Sequence, residues 1–262
     1  MYEFQQIAAA LYLAAGVGAL LGLVLLAPRI HAGARWGLAL GALVQGLAFA
    51  TLHRLDPAPA LTDLATAVAV MAWIATIFAL LLMMRFRLAG FVPPLAFSAF
   101  LASFGATLSR PDLASAAESS GSIPHAHFLL ASAGFAALGI AGLAGLFFLL
   151  EHRQLKRRRA PGRRIPLPSL EALDRVNRVA LLLGFSLLSL GVVTGSLWLD
   201  ARAGSMWSGS PHEIWTVIAW TIYLGLFVLR FVTHQGARQA AASAVAGFAF
   251  LLFAVVGLGL AP

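Results

Sequence analysis

The sequence predicts an all-α, polytopic membrane protein: a bundle of eight transmembrane helices with the N- and C-termini outside. Three observations lead to this fold class. Apolar residues make up 60% of the 262 residues and charged residues 11%, with a mean hydropathy of +0.88, whereas a soluble domain is roughly 25% charged. Eight apolar runs are each close to the ~20 residues that cross a bilayer core. The basic residues fall almost entirely in alternate loops.

The eight apolar runs are predicted to be helices, because none alternates apolar and polar residues with the period of two that strands show. They lie at roughly 5–27, 35–53, 62–84, 91–108, 126–150, 178–199, 213–233 and 239–260. Together they are predicted to form a single transmembrane domain over residues 1–262.

Local signals support several of these helices in turn. The first run follows an N-terminus without basic residues, so we expect a retained helix rather than a cleaved export signal. The pair Pro93-Pro94 is expected to start or bend the fourth helix. Pro124 and Pro211 favour helix starts for the fifth and seventh. Three glycines of the sixth run favour close contact with another helix: Gly184, Gly191 and Gly195.

The loops divide the eighteen basic residues unequally. Three lie in the even-numbered loops: Arg54, Arg110 and Arg202. The other fifteen lie in the odd-numbered loops: Arg29, Arg35, Arg85, Arg87, Arg153, Lys156, Arg157, Arg158, Arg159, Arg163, Arg164, Arg175, Arg178, Arg230 and Arg238. Since basic loops stay in the cytoplasm, the basic loop 151–177 is predicted to be cytoplasmic and the Trp-rich loop 200–212 to be outside. We expect a multi-pass protein of the bacterial inner (plasma) membrane.

Four histidines fall at helix ends on the predicted outer side: His53, His125, His127 and His212. Neutral imidazole is a ligand of haem iron, zinc and copper. For any one of these rings, a helix-end or headgroup contact is the favoured interpretation. As a group they indicate a ligand site on the outer face.

Four tryptophans surround the sixth loop: Trp198, Trp207, Trp215 and Trp220. Such a flat, π-rich surface suits a macrocycle and favours haem over zinc. Tryptophan is also enriched at membrane interfaces without any ligand, and the outer carboxylates keep zinc open. The chain has no cysteine, which removes thiolate sites and disulfides.

Three stretches resemble the cytochrome c assembly family that includes CcsA, HemX and YpjD-like proteins. They read "HFLLASAGFAALGIAGLAGLFFLLEHRQLKRR", "LPSLEALDRVNRVALLLGFSLLSLGVVTGSLW" and "GSMWSGSPHEIWTVIAWTIYLGLFVLR". The first is similar to the family helix that opens with an outer-face histidine. The second is similar to the next family helix, and the third to the Trp-rich loop and the helix after it. The resemblance covers mainly 125–257.

The family loop reads Trp-Gly-x-x-Trp-Ser-Trp-Asp-Pro-Lys-Glu-x-Trp, and this chain departs from it. Ala203, Gly209, Ser210 and His212 stand where Trp, Trp, Asp and Lys would be. Val228 occupies the register of a CcsA histidine, and the outer histidine that follows the last matching helix of CcsA is also missing. The chain is therefore expected to lie closer to the short HemX and YpjD-like branch.

The resemblance implies a non-covalent, b-type haem. His127 and His212 are the expected axial ligands, with Trp207 and Trp215 on the porphyrin and Trp198 nearby. His53 and His125 are the reserves for these ligands. If both are helical, His125 points about 160° away from His127. Propionate partners are expected among the outer arginines: Arg54, Arg110 and Arg202.

The family implies a haem-binding or haem-handling membrane protein in cytochrome c assembly, as an accessory component of a haem-attachment system and not an enzyme. The partners expected are haem, other cytochrome c maturation proteins and the lipid bilayer, and no nucleic acid. One alternative is a HemX-type regulator of haem biosynthesis that acts on glutamyl-tRNA reductase through the basic loop 151–177. Another is a structural membrane subunit without haem.

Overall fold

The structure is a computed structural model that describes residues 2–52, 64–108, 122–156 and 168–260. Every regular element within those ranges is helical. The long helices are α1 (Tyr2–Val24), α2 (Pro28–Leu52), α3 (Leu64–Arg85), α4 (Val92–Leu108), α5 (Ser122–Lys156), α6 (Leu170–Ala203), α7 (Pro211–Phe231) and α8 (Ala237–Leu260), with a short 3-10 turn at Ala89–Phe91 before α4.

The prediction of a polytopic helical membrane protein is confirmed. Each predicted run coincides with one of the long helices, and seven of those described are long and apolar enough to cross a membrane. The helix outside that group is α2, which carries Arg29, Arg35 and Gln45 in its sequence. These polar residues lower its hydropathy, so eight spans and the positions of the termini stay predictions.

Two helices are much longer than their apolar runs. α5 has 35 residues and α6 has 34, so each is about 50 Å long at 1.5 Å per residue, against a bilayer core of about 30 Å. The extra first turns of α6 are polar and carry the exposed ion pair of Glu171 and Arg175, 3.0 Å apart. Apolarity alone therefore marks the membrane portion of such a helix and misses its ends.

The helices group into two compact units, α1 to α4 and α5 to α8. In the first unit, α1 packs against α2 and α4, and the small side chains Ala15, Ala19 and Ala96 lie in its buried core. Polar side chains are paired there: the Tyr12 hydroxyl donates to Gln45 Oε1 at 2.7 Å, and Gln45 Nε2 donates to the Ala69 carbonyl at 3.2 Å. The buried Tyr12 hydroxyl and Gln45 amide are therefore both satisfied within this core.

In the second unit, α5 and α6 run antiparallel with glycines at their contact. A Cβ on Gly134 would lie 2.8 Å from the Leu188 nitrogen, and a Cβ on Gly184 2.7 Å from Leu138 Cδ2. About one turn further along the two helices, a Cβ on Gly191 would lie 3.2 Å from Ala131 Cα. The steps of three and four residues on both helices are typical of nearly antiparallel helices with interlocking side chains. The prediction of close contact through the glycines of the sixth run is confirmed at Gly184 and Gly191.

An ion pair joins the start of α6 to the end of α7. Arg230 Nη2 donates to Asp174 Oδ1, and Arg230 Nη1 donates to the Gln235 carbonyl at 3.3 Å. The Arg230 residue is 5% exposed. Nearby, Asn177 Nδ2 donates to the Ala141 carbonyl of α5 at 2.8 Å. Arg230 is thus a buried structural group, although by sequence it was one of the basic loop residues.

Candidate functional site

His127 lies in the second turn of α5 and is seated on α6. Its Nδ1 is 2.7 Å from the Gly191 carbonyl oxygen. The absence of a side chain at Gly195 makes room for the ring, since a Cβ there would lie 2.8 Å from Cε1 and 2.9 Å from Nδ1 of His127. The same three- and four-residue steps that set the α5–α6 contact bring His127 opposite Gly195.

The hydrogen bond to Gly191 fixes which nitrogen of His127 carries the proton. A carbonyl oxygen only accepts, so Nδ1 must donate. The neutral ring then keeps its lone pair on Nε2. Metal-ligating histidines commonly hold their ring in this way, by donating the other N–H to a backbone carbonyl. His127 is therefore oriented by α6, and its Nε2 keeps the lone pair with which it could bind a metal.

Trp198 lies beside this imidazole. The two ring centroids are 6.2 Å apart and the planes are tilted by 33°. Trp198 is half-buried and stands one turn after Gly195 on α6. Its indole gives the histidine an apolar, aromatic neighbour.

The connection from α6 to α7 is short and held by hydrogen bonds. Gly204 ends α6 in the left-handed conformation, with φ +66°, and its N–H donates to the Asp200 carbonyl at 2.8 Å. In the turn that follows, the Ser205 hydroxyl donates to the Trp207 carbonyl at 2.7 Å. The indole of Trp207 stays half exposed, at 51%.

Ser210 and Glu213 fasten the start of α7. Ser210 is the N-cap and its hydroxyl accepts from the Glu213 N–H at 3.4 Å. The Glu213 carboxylate accepts from the N–H groups of Ser208 at 2.8 Å and Gly209 at 3.0 Å, and also from the Ser208 hydroxyl. This is an extended form of the capping box. It fixes the residues on both sides of Pro211 and so positions the first turn of α7.

His212 is the second residue of that turn and is exposed. His127 lies against the last turns of α6, and the connection that follows α6 leads directly to His212. The structure thus places the two expected ligands at the same end of the second unit, one near the start of α5 and one at the start of α7. Trp198 and Trp207 belong to the same end.

The other expected site residues lie elsewhere. Trp215 packs against α8, with its ring centroid 6.0 Å from that of Phe250 and 6.1 Å from that of Phe253. Trp220 donates from Nε1 to the Ser189 hydroxyl at 2.9 Å. These contacts hold helices together. His125 is helical and half-buried, about 160° around α5 from His127.

Some expected site residues cannot be placed in this geometry. His53, Arg54 and Arg110 lie outside the described residues. Arg202 lies in the last turn of α6 and is exposed.

Sequence reasoning missed two supports of the site. Gly191 and Gly195 were assigned to helix packing alone, although one binds His127 through its carbonyl and the other accommodates the ring. Glu213 was counted with the outer carboxylates and as a match to the family loop, and its role in the turn was not predicted. The signal for its role was present, because Ser210-Pro211-His212-Glu213 has the Ser-x-x-Glu spacing of a capping box.

Comparisons with known proteins agree on one family. A family model described as "Cytochrome C assembly protein" matches residues 38–261. The cytochrome c biogenesis protein CcsA of Prochlorococcus marinus strain MIT 9303 is 34% identical over 96 residues, which are 37% of this chain and 30% of that protein. CcsA of strain CCMP1986 is 34% identical over 88 residues, 34% of this chain and 28% of that protein. The aligned part is thus less than a third of these relatives. The chain belongs to the cytochrome c assembly protein family.

Proposed function

We propose that this membrane protein binds haem at the outer face and serves cytochrome c assembly as an accessory component rather than as an enzyme. The observation that carries the proposal is the His127–Gly191 hydrogen bond. Because Nδ1 donates this bond, the lone pair of the neutral ring stays on Nε2, where it can bind iron. Haem, when bound, supplies an iron that accepts axial nitrogen ligands. The family supports a role in cytochrome c assembly, and we assign the site and the haem to this chain as part of the proposal.

His212 is the proposed second ligand. It belongs to the same unit as His127, lies at the same end of that unit, and sits on a helix start that Ser210 and Glu213 hold in place. Trp198 and Trp207 offer the aromatic surface that a porphyrin needs. Trp215 packs its indole on α8, and its contact with the porphyrin stays a prediction. The haem is proposed to be b-type and non-covalent.

Absorption spectra of the purified protein reconstituted with haem test this proposal. Two imidazoles on iron give a low-spin spectrum, so we expect His127→Ala and His212→Ala each to convert it to high spin or abolish the Soret band. His152→Ala is the matched control, because it changes the same residue type near the other end of α5. Unchanged low-spin haem in both ligand variants would show that the iron is held elsewhere.

The alternatives predict different outcomes. A structural subunit without haem gives no Soret band in any preparation. Regulation of haem biosynthesis through glutamyl-tRNA reductase finds no support in the comparisons. The proposed partners are therefore haem and other components of cytochrome c maturation.

The proposed location is the bacterial inner membrane, with eight spans and the His127–His212 end outside. Its support is the excess of arginine and lysine in the odd-numbered loops. Reporter fusions should place residue 160 in the cytoplasm and residue 208 outside. A fusion pattern with the two sides exchanged would contradict an outer-face site.

A further inference from the structure

A cavity of about 440 Å³ opens in the first unit, at the end where α1 connects to α2 and α3 connects to α4. Its polar lining comes from His31 and Arg35 of α2 and from Arg85 and Arg87 at the end of α3. Met84 is among its apolar lining residues. In the sequence, the residues that line this cavity are far from those of the histidine site. The proposed function does not use the cavity.

The charge of this cavity is uncompensated among the described residues. Arg35, Arg85 and Arg87 are exposed, and none forms an ion pair with a residue in the described ranges. The one carboxylate of this unit in those ranges is Glu3, at the start of α1, whereas the α1 residue beside His31 is Gly22. About 29 Å of helix separates those two positions. Three guanidinium groups around one concavity therefore favour an anion.

His31 adds a second polar signal. Its Nδ1 is buried and makes no hydrogen bond in the described structure. The great majority of buried side-chain polar atoms have a hydrogen-bond partner. The cavity therefore combines three unpaired cations with an unpartnered polar atom on its wall.

The surroundings of the cavity place it at the boundary of the apolar layer. Arg85 is the last residue of a helix that is long and apolar enough to span a membrane. Trp36, next to Arg35, is 72% exposed, and Met84 is 80% exposed. Exposed tryptophan and arginine at such a helix end are typical of the headgroup level. The occupant should therefore carry both a negative charge and an apolar part.

We propose that this cavity binds the phosphate of an anionic phospholipid, with Arg35, Arg85 and Arg87 as its counter-charges. The acyl chains would lie along the exposed apolar surface of α3 that continues from Met84 to Leu81. This proposal does not depend on haem binding. The guanidinium fork binds two phosphate oxygens at once, which a lysine does not match.

Native mass spectrometry of the delipidated, full-length protein tests the proposal. We expect dioleoyl phosphatidylglycerol to bind more tightly than dioleoyl phosphatidylcholine or inorganic phosphate. Arg35→Gln, Arg85→Gln and Arg87→Gln should each weaken phosphatidylglycerol binding by about fivefold. The matched control is Arg29→Gln, the same change on the same helix six residues before Arg35, at an exposed position that does not line the cavity.

Any one of four results would overturn the proposal. Equal binding of phosphatidylcholine would indicate apolar adhesion alone, and equally tight binding of inorganic phosphate would indicate a site for a soluble anion. Lipid binding that is unchanged in all three variants would place the headgroup elsewhere. A Soret band lost in the arginine variants, with lipid binding retained, would assign the cavity to haem carboxylates. Unchanged thermal melting in detergent without lipid shows that each variant is folded.

Discussion

Replacing Asp174 by Asn should lower the free energy of unfolding by about 3–5 kcal/mol, because it leaves a buried charge unpaired. Arg230 has a side chain that is 3% exposed, and its ion pair with Asp174 joins α6 to α7. Asn keeps the size of the side chain and removes only the negative charge. Denaturation in mixed micelles, followed by far-ultraviolet circular dichroism, measures the change.

Glu171→Gln is the control for this substitution. Glu171 lies one turn earlier on α6, and its ion pair with Arg175 has both side chains more than half exposed. Exposed pairs contribute about 0–1 kcal/mol, so we expect a change within that range. The double variant Asp174→Leu with Arg230→Met should recover much of the stability, since it removes both charges together. Equal losses for Asp174→Asn and Glu171→Gln would contradict a structural role for the buried pair.

Arg230 also shows where sequence reasoning reaches its limit. An arginine at the end of an apolar run is typical of a topology anchor, and the residue was counted as one. Its partner Asp174 lies 56 residues away, and no local pattern predicts contact over that separation. The second family-like stretch, which begins "LPSLEALD", already contained that aspartate, but its structural role becomes visible only when α6 and α7 are packed together.

The helices themselves could be predicted because their cause is local. An apolar run of about 20 residues must satisfy its backbone hydrogen bonds internally when it enters a membrane. The polar start of α6 follows a different rule, since it is held by the Ser169 cap and by i,i+4 pairs such as Arg175 with Glu171. The length of α6 was therefore underestimated.

The candidate site could be predicted in part, because the basic residues of the loops predict on which side of the membrane each helix end lies. Counting basic residues assigns His127 and His212 to one side, and the structure places them at one end of the second unit. The direction of a side chain around its helix depends on which neighbour the helix packs against. Trp215 faces Phe250 and Phe253 of α8, so its position in a Trp-rich motif did not indicate the contact it makes.

Gly195→Ala should weaken haem binding roughly 10- to 100-fold without changing either proposed ligand. The added Cβ would lie 2.8 Å from Cε1 of His127, whereas carbon atoms normally approach to about 3.5–4.0 Å. The imidazole must therefore move away from α6, and its hydrogen bond to the Gly191 carbonyl is strained or lost. The ring then loses both its orientation and the fixed tautomer that leaves Nε2 free.

Haem titration followed at the Soret band measures this effect, with Gly225→Ala as the matched control. Gly225 lies in α7 of the same unit and a Cβ there meets nothing within 4 Å, so its haem affinity should stay within twofold of the parent, about 0.4 kcal/mol. Adding imidazole to the Gly195→Ala protein should restore the low-spin spectrum, because free imidazole replaces the displaced ligand. If the Gly195→Ala protein binds haem as tightly as the parent, His127 is not a ligand of the iron. If Gly195 serves helix packing alone, the substitution should change stability and leave the haem spectrum unaltered.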